Sequence, residues 1–210
     1  RKISIRSHKY RFDNEGKLFD MENDPGQTED VSTANPGILN QFEEAREKWE
    51  NEVLAELPKE DTRNFTIGHH DYPLTQVPAR DGIPHGNIKG SSIHPNCSFF
   101  TDWSNISDSI TWEAEVLTDG NYEVEIYYTC APEDVGSPFE VSFLGEKITG
   151  KIMEAHNPPL TGMENDRDIR SESYVKDFKQ LKVGTIHLKK GEGILALKAL
   201  EIPGSDVIDF

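Results

Sequence analysis

Two cysteines, seven histidines and a few arginines and aromatics are the residues of this 210-residue chain that offer chemistry beyond packing. Cys97 and Cys130 fit neither a zinc pattern nor a disulfide-dense scaffold, so one bridge and two buried thiols suit the spacing equally well. His69, His70, His85 and His94 all fall between residues 59 and 96, and His8 lies in the first strands. Within that stretch Arg80 and His85 are candidate substrate contacts. A guanidinium offers a planar donor fork to an anionic group, and an imidazole offers a switchable donor. The plainer reading makes these histidines surface or capping residues of a polar loop. His69-His70 makes a poor metal pair, because adjacent side chains of an extended chain point to opposite faces. No metal site is expected.

Sugar rings stack on exposed aromatics, and Trp103 and Tyr127 are the candidates for that role. Tyr127 shares the glutamate-bearing face of its strand, and Trp103 sits near a strand end beside Asp102. Trp112 lies on an apolar face and reads as core. Glu113, Glu115, Glu123 and Glu125 read as a solvated sheet face, since period-two spacing splays neighbouring carboxylates ~7 Å apart, too far for calcium. The sequons at Asn64, Asn96 and Asn105 carry meaning only once the host is known.

Composition narrows the partners. Lys plus Arg is 22 against 38 Asp plus Glu, a formal charge of −16. That excess argues against nucleic acid, whose binding needs clustered cations, and against an anionic membrane surface. No apolar run approaches the roughly 18 residues of a membrane span. Hydrophobic content is 35%, but the apolar residues recur periodically, so the chain should fold with long polar connections.

Residues 1–21 read as a small antiparallel meander, with Asn14-Glu15-Gly16 as a hairpin loop and Asp24-Pro25-Gly26 as a closing turn. A helix follows. Asn35 is the expected N-cap and Pro36 the first helical residue, and Ile38, Phe42, Ala45, Trp49, Val53 and Leu57 form one apolar stripe that Pro58 stops. Residues 59–96, punctuated by proline and glycine, read as an extended linker packed along its neighbours. From residue 97 the pattern is all-β. Alternation over 110–116 and 122–128 predicts a hairpin across Asp119-Gly120-Asn121, and 184–188 is predicted to pair with 194–200. Seven or eight such strands read as a jelly-roll-like β-sandwich. Residues 157–176 form a charged insertion, either a docking surface or a self-paired loop. The expected class is α+β: small sheet plus helix (1–58), linker (59–96) and sandwich (97–210).

Residues 17–31, Lys-Leu-Phe-Asp-Met-Glu-Asn-Asp-Pro-Gly-Gln-Thr-Glu-Asp-Val, resemble the segment near the C-terminal end of arylsulfatase-type sulfatases. Arg6-Ser7-His8-Lys9-Tyr10 before it and the helix after it extend the likeness. In that family the corresponding strands and helix form a small C-terminal subdomain packed on the catalytic domain. The remainder looks like the tail of some bacterial sulfatases, a linker with Pro78-Ala79-Arg80-Asp81-Gly82 and then a sandwich similar to carbohydrate-binding modules. Pro95-Asn96-Cys97-Ser98, Tyr127-Tyr128-Thr129-Cys130 and Ser173-Tyr174-Val175-Lys176-Asp177-Phe178 carry that second likeness.

The resemblance implies a sulfuric ester hydrolase acting on sulfated glycans, secreted or periplasmic. Its formylglycine nucleophile and calcium are expected in a catalytic domain outside these residues. Residue 1 is Arg rather than Met, and the chain reads as a piece of a longer protein. Cys130-Ala131-Pro132-Glu133-Asp134 mimics two positions of the family's Cys/Ser-x-Pro-x-Arg motif. Its two carboxylates would repel a sulfate ester, so no catalytic residue is assigned. The expected partners are that catalytic domain and sulfated polysaccharide. The alternative is an independent carbohydrate-binding accessory module, and a third reading makes the sandwich a structural brace.

Overall fold

The computed structural model describes residues 2–58 and 60–210. The chain divides into two bodies, one ending at Thr62 and the other running Arg63–Phe210. Among the described residues, no helix is long and apolar enough to cross a membrane.

The first body begins with strands β1 (Ile5–Arg6), β2 (Tyr10–Phe12) and β3 (Leu18–Asp20), an antiparallel meander in that order. Phe12 pairs with both Ile5 and Leu18. The hairpin loop has Gly16 at φ +87°, and the Asp13 carboxylate accepts the amides of Glu15 and Lys17. Helix α1 (Pro36–Glu52) lays Phe42 parallel to Phe12 at 6.3 Å between ring centroids. It ends earlier than expected. Pro58 holds Leu57 in extended backbone, and the preceding residues Leu54–Glu56 tighten into a 3₁₀ turn. Asn35 is not a side-chain cap: its amide donates to the Val31 carbonyl, and its Oδ1 accepts the Tyr10 hydroxyl at 3.4 Å.

The second body is mostly β. Its strands are β4 (Phe65–Ile67), β5 (Ile83–His85), β6 (Lys89–Gly90), β7 (Phe100–Thr101), β8 (Ser109–Val116), β9 (Gly120–Tyr128), β10 (Pro138–Phe143), β11 (Glu146–Lys151), β12 (Lys179–Leu188) and β13 (Gly191–Ala199). One sheet runs β11-β10-β13-β8-β4 with β5 also on β8. A second pairs β12 with β9, and a small third pairs β6 with β7. Ile110, Trp112, Phe139 and Leu197 of the first sheet share one buried cluster with Ile126 and Tyr128 of the second. Two sheets closing on one apolar core are compatible with a β-sandwich.

The alternation within the long strands is as expected, but the pairing is not. β8 does not pair with β9. It pairs with β13, while β9 pairs with β12. The chain therefore changes sheets at Asp119-Gly120, and again between β12 and β13. Period-two alternation says which face is buried, not which strand lies alongside.

The expected linker is also corrected. From Arg63 onward it belongs to the second body. β4 lies parallel to β8 (Phe65 opposite Ala114) and β5 antiparallel to it (His85 opposite Ser109), so together they cover the edge of β8. Pro84 is tolerated because β5 is itself an outer strand. Between them, Trp112 Nε1 donates to the Pro78 carbonyl at 3.1 Å, and a Cβ on Gly82 would stand 2.7 Å from the Trp112 ring.

Candidate functional site

Arg80 lies in a 3₁₀ turn, Ala79–Asp81, between β4 and β5. Its Nη1 donates to the Pro95 carbonyl at 3.2 Å and its Nε lies 3.8 Å from Asp81 Oδ1. These contacts hold the guanidinium at the rim of a shallow cavity of about 190 Å³, which Ser92, His94, Ser98 and Phe99 also line. Phe99 is wedged edge-on against Phe178 at 5.5 Å, with Lys176 Nζ over its ring. His85 is elsewhere. It sits on exposed β5 with Nε2 2.8 Å from Thr111 Oγ1, so the two expected substrate contacts do not converge. The imidazole that shares the cavity with Arg80 is His94. No periodicity marks His94; only the tertiary contact between Arg80 and Pro95 brings it close.

The insertion 157–176 packs against the segment that lines this cavity. Ser91 and Ser173 hydroxyls meet at 2.6 Å, and Ser92 Oγ donates to the Ser171 carbonyl. Arg170 lies over the Tyr174 ring at 4.3 Å and 3.7 Å from Asp166. The insertion is thus folded onto its own body.

The stacking pair is corrected. Trp103 is 1% exposed and belongs to the core. Its carbonyl accepts the Val207 amide at 2.8 Å, and the segment of buried Val207 and Ile208 runs beside it. Its place near a strand end suggested exposure, but the distant C-terminal segment supplies the cover. Tyr127 is 53% exposed, on the outer face of β9 opposite Gln180. Glu113 and Glu115 lie on β8, and Glu123 and Glu125 on β9, so they face outward from two different sheets. Glu125 is occupied by Gln180 and Lys182.

Both cysteines are free thiols, Cys97 exposed and Cys130 buried. Burial first, then the carboxylates of Asp134, Asp209 and Glu133, push the Cys130 thiol up to about 11. A thiol so placed is inert at neutral pH. Asp134, which stands where the sulfatase motif has Arg, instead accepts Ser205 N, Ser205 Oγ and Asp206 N through Oδ1.

His69 and His70 do not point apart. The Tyr72 amide donates to the His69 carbonyl at 3.0 Å, turning the chain and stacking the two imidazoles at 4.6 Å. The chain here is a turn rather than extended, so adjacent side chains are not held on opposite faces.

No family model matches the chain, and no curated protein matches it. One solved structure to which it is similar is a GH26-CBM35 beta-(1,4)-mannanase of Podospora anserina. Identity is 14% and the TM-score is 0.39, over 62% of this chain and 24% of that one. The chain thus matches only about a quarter of that protein's length.

Proposed function

We propose that the second body is a non-catalytic carbohydrate-binding module, a jelly-roll-like sandwich that meets a glycan at the Arg80–His94–Phe99 cavity. The observation that carries this reading is the gathering of Arg80, His94, Ser92, Ser98 and Phe99 around one concave patch. Planar charge-assisted donors suit sugar hydroxyls and sulfate oxygens alike. The volume of about 190 Å³ is below the roughly 300–1,000 Å³ of an enclosed small-molecule pocket. It fits contact with part of a polymer rather than engulfment of a metabolite. Exposed Tyr127 is a separate, weaker platform on the outer sheet face.

Affinity electrophoresis through gels holding matched sulfated and desulfated polysaccharides tests the proposal. Retardation that Arg80→Ala and His94→Ala diminish is expected, and preference between the two gels shows whether sulfate or hydroxyl is read. Free migration through every gel, or retardation unchanged in both variants, would overturn it.

A second reading concerns the first body. Its meander, Asp24-Pro25 turn and helix occur in the order the sulfatase resemblance implies. Trp49, Val53 and Leu57 leave a half-exposed apolar stripe (44, 40 and 46%) suited to packing on a catalytic domain. On this reading the parent enzyme is a secreted or periplasmic sulfatase with formylglycine and calcium in that domain, and this chain hydrolyses nothing alone. Aryl sulfate turnover by the purified chain, abolished by changing one of its own residues, would refute that.

A further inference from the structure

The turn after β4 gathers three metal-ligating side chains that the glycan-binding reading does not use. Its base is held firmly. The Ile67 carbonyl accepts the Leu117 amide at 2.8 Å, tying the end of β4 to the end of β8. Gly68 then redirects the chain at φ +76°, a conformation that favours glycine. A Cβ there would stand 2.0 Å from the Tyr122 hydroxyl, which itself donates to the Thr118 carbonyl. Beyond this point the rings of His69 and His70 stack, and Tyr72 packs on His69 at 5.0 Å. His70 Nε2 lies 3.2 Å from Asp71 Oδ2. One donor atom from each of His69, His70 and Asp71 lies within 4.8 Å of the other two.

We propose that His69, His70 and Asp71 bind a borderline divalent transition metal, with Zn²⁺ the reference ion and Co²⁺ its spectroscopic substitute. Two imidazoles and one carboxylate form a mixed nitrogen–oxygen set, which suits zinc and its neighbours better than calcium or magnesium, whose ligands are oxygens. Zinc bonds of roughly 2.0–2.2 Å place tetrahedral ligand atoms roughly 3.3 Å apart. The two stacked imidazoles must rotate out of their stack so that their in-plane lone pairs converge, at a turn where His70 and Asp71 are exposed and His69 is half-buried. The Asp71 amide donates to His69 Nδ1 at 3.2 Å, a long bond at the turn that a metal bound at this imidazole displaces. Three protein ligands leave a fourth position for water or a ligand oxygen.

The test uses the untagged chain stripped with chelator. Calorimetric titration with Zn²⁺ is expected to show one ion bound per chain, and Co²⁺ to give the visible bands of a tetrahedral site. His69→Ala and His70→Ala should each weaken binding by at least the roughly 10–100-fold that even outer-shell partners contribute. His187→Ala, on β12, should bind like the parent. Because His70 is exposed and the His69 ring contacts its turn neighbours His70, Asp71 and Tyr72, the variants should keep the parent's melting temperature within a few degrees. Failure to saturate with Zn²⁺, or equal affinity in the His69→Ala/His70→Ala double variant, would overturn the proposal.

Discussion

Lys176 Nζ lies 2.5 Å from Asp209 Oδ2, joining the end of the charged insertion to the C-terminal segment. The same carboxylate oxygen accepts the Thr129 hydroxyl at 3.0 Å, beside the bridge between Thr129 and Asp209 that follows β9. Only 10% of the Lys176 side chain and 22% of Asp209 remain accessible. Three separated stretches meet at one ion pair, close to Phe99 and hence to the proposed glycan cavity.

Breaking that pair from one side strands a poorly hydrated charge. Asp209→Ala should lower unfolding free energy by about 1–3 kcal/mol, short of the penalty for a fully buried pair because water still reaches both groups. Urea unfolding measures it, and a cycle with Lys176→Met separates the pair's coupling from the lost Thr129 bond.

Asp134 and Glu133 are neighbours with opposite fates. Asp134 is 6% exposed and gathers three donors from Ser205 and Asp206, whereas Glu133 is exposed. Asp134→Ala should destabilise the fold by about 2–4 kcal/mol, because two backbone amides and a hydroxyl lose a charged acceptor. Glu133→Ala should stay within about 0.5 kcal/mol. Equal effects in thermal melts would disprove the distinction.

The Cys130 thiol, pushed from 9.0 to about 11, makes stability depend on alkaline pH. Between those values the unfolded thiol has released its proton while the folded one keeps it. Its stabilising contribution is therefore complete below pH 9 and is lost as pH rises through 11. Tyr122 and Tyr128 are raised chiefly by burial and act in the same direction. The readout is therefore the difference between the parent and Cys130→Ala, about 1–3 kcal/mol less alkaline loss in the variant. At pH 8, a thiol reagent should modify Cys97 alone until the protein unfolds.

Trp103 and Tyr127 should separate stability from surface chemistry. Trp103→Ala should cost about 3–5 kcal/mol through the cavity it leaves. Tyr127→Ala should cost less than about 1 kcal/mol, since half the ring is already in water. Chemical denaturation of both variants checks the contrast, and any loss of glycan retention in Trp103→Ala would follow from unfolding rather than from lost stacking.

Much of the local structure was legible from residue order. Alternation placed Ile110, Trp112, Ala114 and Val116 on the buried side of β8, and Gly16 placed the first hairpin loop. Proline at 58 placed the end of the helical region within a few residues. These features depend on neighbours in the chain, whose steric and solvation preferences act at short range. Partnership across the fold was decided only in three dimensions. Strand alternation carries no information about which edge finds which, so β8 met β13 rather than β9. The proline-rich stretch became edge strands because β8 offered unpaired amides and carbonyls. Trp103 went inside because Val207 and Ile208 returned to cover it, and His94 joined Arg80 through a carbonyl at Pro95. His69 and His70 came together because the chain turns after Gly68, where a φ of +76° and the adjoining Tyr122 hydroxyl suit only glycine.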